Sequence, residues 1–276
     1  MWRALLGLPL PLLKAGCGFL GALHAALDRR HARECAASAR RCGFQDPAAI
    51  ACGMYRNLWC LPWEIAWARR LSPGSLTRNI RGSVEFRNYV ETHFKGRGLV
   101  TVSAHLGNWE LLGQLAALLI PPMMPVYKSH RNRLVREFML EMRRAGDQLP
   151  VPKEEGLRPL LRHLRAGGTV GLLVDQNAGP QGVDSEFLGH PCKSWDTPVR
   201  IAHGTGCPLL PVFLFRGSHG LELVWHPPLE LVVDGSGRLD VAASVRKLDA
   251  LLGAAVREHP DQWLWLSHRW GRGFAR

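Results

Sequence analysis

His105 and Glu110, separated by Leu-Gly-Asn-Trp, are the residues whose types and spacing best suit proton transfer. An imidazole with an unperturbed pKa of about 6.5 takes a proton at neutral pH when a carboxylate fixes its tautomer and stabilises the imidazolium. The apolar run Leu99-Val-Thr-Val-Ser103 reads as a buried strand, and Leu111 to Ile120 as a helix. His105 then lies on the turn leaving the strand. Glu110 falls in the first helical turn, where the helix dipole keeps an acid ionised. Gly107 lets that turn close tightly, and Asn108 is placed to cap the helix. No Gly-x-Ser-x-Gly elbow occurs, and neither Ser103 nor any cysteine lies in a nucleophile motif. The pair is therefore suited to activating a substrate's own hydroxyl. The alternative is a histidine that fills a turn beside a solvated glutamate.

The elements that must position this pair alternate along the chain from Leu99 onward. Strands are expected at 99–104, 123–127, 169–175, 209–215 and 221–225, and helices at 108–120, 131–145, 154–166, 197–205 and 241–258. That order implies an α/β fold, a mixed sheet flanked by helices, with ligands beyond the carboxyl ends of the strands. Asp175-Gln176-Asn177 follows such a strand, so Asp175 either orients a substrate or a histidine, holds a cation, or simply caps the next turn. The stretch from Ala178 to Asp196 reads as a long loop, a lid or binding edge. The helix over 131–145 carries basic side chains that could meet phosphates, or form a solvated charged face.

Lysine and arginine outnumber aspartate and glutamate by 35 to 23, a net charge of +12, which calls for a polyanionic partner. The arginines are scattered and no nucleic-acid motif accompanies them, so an anionic bilayer or acidic protein is expected and nucleic acid is not. Seven cysteines without framework spacing read as reduced thiols. His190-x-Cys192 with His203-x3-Cys207 fits no common zinc spacing, and no metal is assigned.

Residues 4 to 27 are almost wholly apolar apart from Lys14 and His24, and arginines follow at Arg29 and Arg30. This reads as an uncleaved helix embedded in or lying on a membrane; a helix buried in the body is the alternative. Residues 31 to 95 read as helical, with Trp59, Trp63 and Trp67 at fourfold spacing as core packing or an interfacial belt. The expected organisation is a membrane-associated segment over 1–30, a helical extension over 31–95 and an α/β domain over 96–276.

Ser103-Ala-His-Leu-Gly-Asn-Trp-Glu110, Val174-Asp-Gln-Asn177, Phe187-Leu-Gly189, Pro208-Leu-Leu-Pro-Val-Phe213 and His259-Pro-Asp-Gln-Trp-Leu-Trp-Leu266 before Arg269-Trp270 occur in that order. With them the chain resembles the bacterial lipid A biosynthesis (late) acyltransferases, and more distantly the glycerophospholipid acyltransferases with a His-x4-acid motif. The resemblance runs over most of the chain and is strongest from about 99 to 270.

It implies an acyltransferase on the cytoplasmic face of the inner membrane, taking a fatty acyl group from an acyl carrier protein thioester to a hydroxyl of an anionic lipid acceptor, without a cofactor. His105 carries over as general base, Glu110 as its orienting carboxylate and Asp175 as a family acidic position. Arg143 and Arg144, and more weakly Arg131, match family arginines for the acceptor phosphate or thioester. Asn108 and Gly107 stand beside the substrate in this scheme, with backbone N–H groups near Gly107 and basic side chains as oxyanion donors. The chain departs from the family in its shorter amino-terminal half and at Arg40-Arg-Cys-Gly-Phe44. The acceptor therefore stays open among lipid A, an aryl polyene, an aminolipid and another glycolipid. Two other readings stand beside this one: an acyl-CoA-dependent lysophospholipid acyltransferase, which lacks its usual Phe-Pro-Glu-Gly motif here, and a non-catalytic membrane- or polyanion-binding protein.

Overall fold

In parallel α/β architecture a buried strand is covered on both faces, so it reads as a continuous apolar run rather than an alternating one. Leu99–Ser103 is such a strand (β1), all five residues buried. The computed structural model describes residues 10–120, 122–128, 137, 140, 148–271 and 273–275. Ahead of β1 come five helices: α1 (Leu10–Leu27), α2 (Arg29–Arg41), α3 (Pro47–Ala68), α4 (Pro73–Asn79) and α5 (Ser83–Phe94). After it follow α6 (Trp109–Leu119), β2 (Met123–Tyr127), β3 (Val151–Pro152), α7 (Arg158–Arg165), β4 (Thr169–Leu173), β5 (Val183–Phe187) and β6 (His190–Ser194). The chain continues through α8 (Thr197–Thr205), β7 (Leu209–Gly217), β8 (Gly220–Trp225) and α9 (Val241–Glu258).

Six strands form one sheet in the order β3-β2-β4-β1-β7-β8, parallel except for the antiparallel edge β8. The mixed sheet flanked by helices is thus present, with β1 between β4 and β7. The helix over 131–145 falls largely on residues outside those described.

Each face of the sheet has its own core. Val100 and Val102 face a cluster with Cys35, Ala39, Met54 and Tyr55 from α2 and α3, and with Val199, Leu248 and Leu252 from α8 and α9. Leu99 faces the opposite cluster, with Leu111 and Leu115 of α6, Ile65 from the last turns of α3, and Phe86 of α5. Helix α3 therefore contributes to both cores, and the amino-terminal helices have their apolar faces in common with the sheet.

Among the described residues no helix is long and apolar enough to cross a membrane. Helix α1 lies along α3 instead, with Gly21 at the closest approach, where a Cβ would stand 2.5 Å from Arg56 Cα. A spanning helix over 4–27 is thus not what the described part of that segment forms, since one side of it is committed to protein.

The stretch 178–196 is not an open loop. It folds into the hairpin β5–β6, closed by Leu188 and Gly189, both at positive φ, and packed on α9. Two consecutive positive-φ residues give the tight turn whose twist matches paired strands.

Candidate active site

Register brings the site together. In the parallel β1–β4 pair Ser103 stands opposite Leu173, so the residues two positions beyond each strand end, His105 and Asp175, emerge side by side. Asp175 Oδ1 lies 2.8 Å from His105 Nδ1, and Asp175 Oδ2 accepts the His105 backbone N–H at 2.9 Å. Oδ2 also accepts from the indole N–H of Trp263, at 2.8 Å. The Asp175 side chain is fully buried while that of His105 is 18% exposed, so the imidazole alone reaches the surface of this cluster.

Burial works to raise the Asp175 carboxyl, but the His105 charge and the three hydrogen bonds outweigh it and hold the group below the usual carboxylate range. An ionised carboxylate only accepts, so Nδ1 of His105 carries the hydrogen and Nε2 has the lone pair. Asp175 makes the orienting contact at Nδ1, because strand register places it level with the imidazole. Glu110 stands half-buried in the first turn of α6 and lines an apolar cleft.

The turn carrying His105 is pinned at every peptide. Leu264 N–H donates to the His105 carbonyl at 2.9 Å; Gly107 N–H donates to Gln262 O at 3.1 Å and Asn108 N–H to Leu214 O at 2.8 Å. Gly107 has φ +67°, and a Cβ there would sit 2.1 Å from Leu214 O, so only glycine fits. These bonds correct one expectation: the N–H groups of Leu106, Gly107 and Asn108 all point at carbonyls of the protein, and none of them is aimed at a substrate oxyanion.

Asn108 is also fully buried and used twice. Its Oδ1 caps α6 by accepting from Leu111 N–H at 2.9 Å, and its Nδ2 donates to Glu64 Oε2 at 2.7 Å. Glu64 takes a two-pronged ion pair from Arg216, Nε and one terminal nitrogen each at 2.7 Å. Gln262 locks the Arg216 backbone through two 2.9 Å bonds, and Asn57 Oδ1 accepts from its guanidinium at 3.2 Å. Asn108 and Gly107 are therefore framework rather than substrate contacts.

Sequence reasoning missed Trp263, Glu64, Arg216 and Gln262 in these roles. The segment His259–Leu266 was the one available signal, a polar and tryptophan-rich run just after a helix. Arg131, Arg143 and Arg144 lie outside the described residues. His190 donates to or accepts from no thiol here; its Nε2 is 2.9 Å from the Arg41 carbonyl. Burial pushes the Cys42 thiol up to about 12 and Cys35 higher still, so neither is a thiolate at neutral pH.

A cleft runs between α6 and the sheet, about 700 Å³ including its open mouth. Trp109 and Glu110 stand at one end of the α6 wall, and Leu112, Ala116, Leu119 and Ile120 continue it. Trp109 packs edge-on to the His105 ring at 5.3 Å between centroids. A base held by an acid, next to a tryptophan that lines an apolar cleft, can deprotonate a hydroxyl beside a bound hydrocarbon chain.

The sequence model of the family described as bacterial lipid A biosynthesis acyltransferase matches residues 1–272. The phosphatidylinositol mannoside acyltransferase of Mycobacterium tuberculosis (strain CDC 1551 / Oshkosh) is 26% identical over 179 residues, which are 63% of this chain and 55% of that protein. Its counterpart in Mycolicibacterium smegmatis is 25% identical over 179 residues, 63% of this chain and 57% of that one. The lipid A biosynthesis acyltransferase 2 of Shigella flexneri is 23% identical over 202 residues, 68% and 62% of the two chains. The matches thus span little more than half the length of the mycobacterial relatives.

Proposed function

This chain belongs to the bacterial lipid A biosynthesis acyltransferase family, and on that premise we propose that it moves a fatty acyl group from an acyl carrier protein thioester to a hydroxyl of a glycolipid acceptor. The observation that carries the reading is the Asp175–His105 pair, in ring contact with Trp109, a residue of the apolar cleft wall. The relatives act, by their names, on phosphatidylinositol mannosides and in lipid A biosynthesis, so the acceptor belongs to the phosphorylated glycolipids.

His105 Nε2 takes the proton from the acceptor hydroxyl as its oxygen attacks the thioester carbonyl. Asp175 stabilises the resulting imidazolium through Nδ1–H. The tetrahedral oxyanion lies toward the amino end of α6, where the helix dipole favours negative charge. Collapse breaks the C–S bond, and the departing thiolate recovers the proton from His105. The ester forms in one transfer, with no acyl-enzyme. The acyl chain occupies the cleft along α6; Glu110 to Ile120 is ten residue-to-residue steps, about 15 Å of rise, which matches an extended chain of roughly twelve carbons.

A net charge of +12 favours both an acidic carrier protein and an anionic membrane surface. The protein is placed on the cytoplasmic face of the inner membrane, resting on the outer side of α1. Arg131, Arg143 and Arg144 are assigned to the acceptor phosphate or the thioester region.

The test is lipid mass spectrometry after incubating purified chain with acyl carrier protein thioester and glycolipid acceptor. The acceptor gains one acyl mass with wild type and none with His105→Ala. Transfer retained by His105→Ala overturns the mechanism, and no transfer to any glycolipid overturns the assignment.

A further inference from the structure

The cleft along α6 is apolar over most of its wall, yet two buried polar atoms in its lining have no hydrogen-bond partner among the described residues. They are Ser103 Oγ, at the end of β1, and Gln148 Nε2; each residue is only 5% exposed. Thr101, on the same face of β1, lines the cleft too, but its hydroxyl donates to the Val170 carbonyl at 3.3 Å. Buried polar groups are nearly always hydrogen-bonded, and one left unmade costs more than a made bond gains. Two such atoms in one hydrocarbon-lined cleft point to a ligand that brings an oxygen into it.

Their positions say where along the ligand that oxygen lies. Ser103 is two residues before His105, so it stands beside the first carbons of a chain whose carbonyl is at the imidazole. The Gln148 amide lies over Gly113, where a Cβ would be 3.4 Å from Oε1 and 3.5 Å from Nε2. Gly113 is about one helical turn from Trp109 and Glu110 at the mouth. A Cβ at 113 would only touch the amide at ordinary contact distance, which places Gln148 at that depth of the cleft. A serine hydroxyl donates and accepts, and an amide NH₂ donates; an alcohol oxygen on the ligand satisfies both.

We propose that the cleft selects an acyl chain bearing a hydroxyl group near its carboxyl end, of the 3-hydroxyacyl class, over the plain hydrocarbon chain of equal length. This rests on the reading that the cleft holds the acyl group.

Binding is measured first, because it needs no turnover. Isothermal titration of the full chain compares 3-hydroxydodecanoic with dodecanoic acid. The hydroxy acid is expected to bind at least about fivefold more tightly, the return from one or two orphaned groups finding a partner. In Ser103→Ala and in Gln148→Leu that ratio falls toward one. Thermal unfolding of both variants shows whether they fold; Ser103→Ala removes an atom that makes no bond and is expected to melt no lower than wild type. Equal binding of the two acids by wild type overturns the proposal. So does a ratio that both variants retain, or failure of either acid to bind. Transfer assays with the two carrier-protein thioesters then separate the two readings. Transfer without preference sinks the hydroxyl selection alone, whereas hydroxy-acid preference without transfer from any thioester sinks the proposed reaction.

Discussion

At His105 one ring nitrogen, Nδ1, is committed to Asp175, so a change at Asp175 acts on the tautomer of the imidazole rather than on binding. Asp175→Asn keeps the shape but lets an amide donate toward Nδ1. The expected result is a fall in kcat of roughly 10³–10⁴ with KM near its wild-type value, read from steady-state transfer kinetics. An unchanged kcat removes Asp175 from the reaction. The same carboxyl has a pH signature. Its folded-state pKa is held below the unfolded value of about 3.9, so its stabilising effect is complete above that pH and is lost as pH falls through the folded value. The Tm gap between wild type and Asp175→Asn should therefore narrow below about pH 4. A gap that persists undiminished at about pH 3 contradicts the ionised carboxylate. Both residues were visible in the sequence because each directly follows an apolar run, where α/β sheets expose polar groups. Their pairing was not, because register between β1 and β4 decides it and no local pattern encodes register. Trp263 reaches Asp175 across 88 positions of chain, beyond any spacing rule.

The elements that hold this pair are tied by polar groups from three distant parts of the chain. Glu64 from α3 and Arg216 from β7 are only 13% and 14% exposed, and Asn108 at the start of α6 hangs on the same carboxylate. Breaking one half of such a pair strands the other: Glu64→Gln is expected to cost about 3 kcal/mol in urea unfolding. Adding Arg216→Met should recover part of that loss, since no bare guanidinium remains, and strict additivity of the two changes would argue against coupling. Because the substituted amide keeps one accepting oxygen for both Asn108 and Arg216, Glu64→Gln should also lower kcat more than it raises KM. The strands and most helix limits were legible here: 123–127, 197–205 and 241–258 agree residue for residue with the structure. Continuous apolar runs and clear caps such as Asp240 make that possible. The hairpin over 183–194 was not legible, because Pro191 and the polar alternation of Val183-Asp-Ser-Glu-Phe187 read as loop. A two-stranded ribbon has a free edge on each strand, which tolerates a residue without an N–H.

On the scale of the whole molecule, the face of α1 turned away from α3 carries Phe19, Leu23 and Leu27 at fourfold spacing, exposed by 69%, 45% and 76%. Arg29 and Arg33, both exposed, follow on the next helix. An apolar stripe bordered by arginines is the pattern of a helix lying in the headgroup region of an anionic bilayer, its rings in the acyl boundary and its cations on the phosphates. On the proposed membrane placement, a segment apolar enough to suggest a span packs along α3 with one side on the protein and turns its other side to lipid. Replacing Phe19 and Leu27 by serine removes two side chains worth about 1.5 kcal/mol or more each when buried, so vesicle affinity should fall roughly a hundredfold. Sedimentation with vesicles rich in phosphatidylglycerol measures it. Raising salt from about 0.05 to about 0.5 M should weaken wild-type binding through the arginines and leave the apolar share in place. If the double variant binds vesicles as wild type does, α1 is not the membrane face and the lipid must reach the cleft from another side.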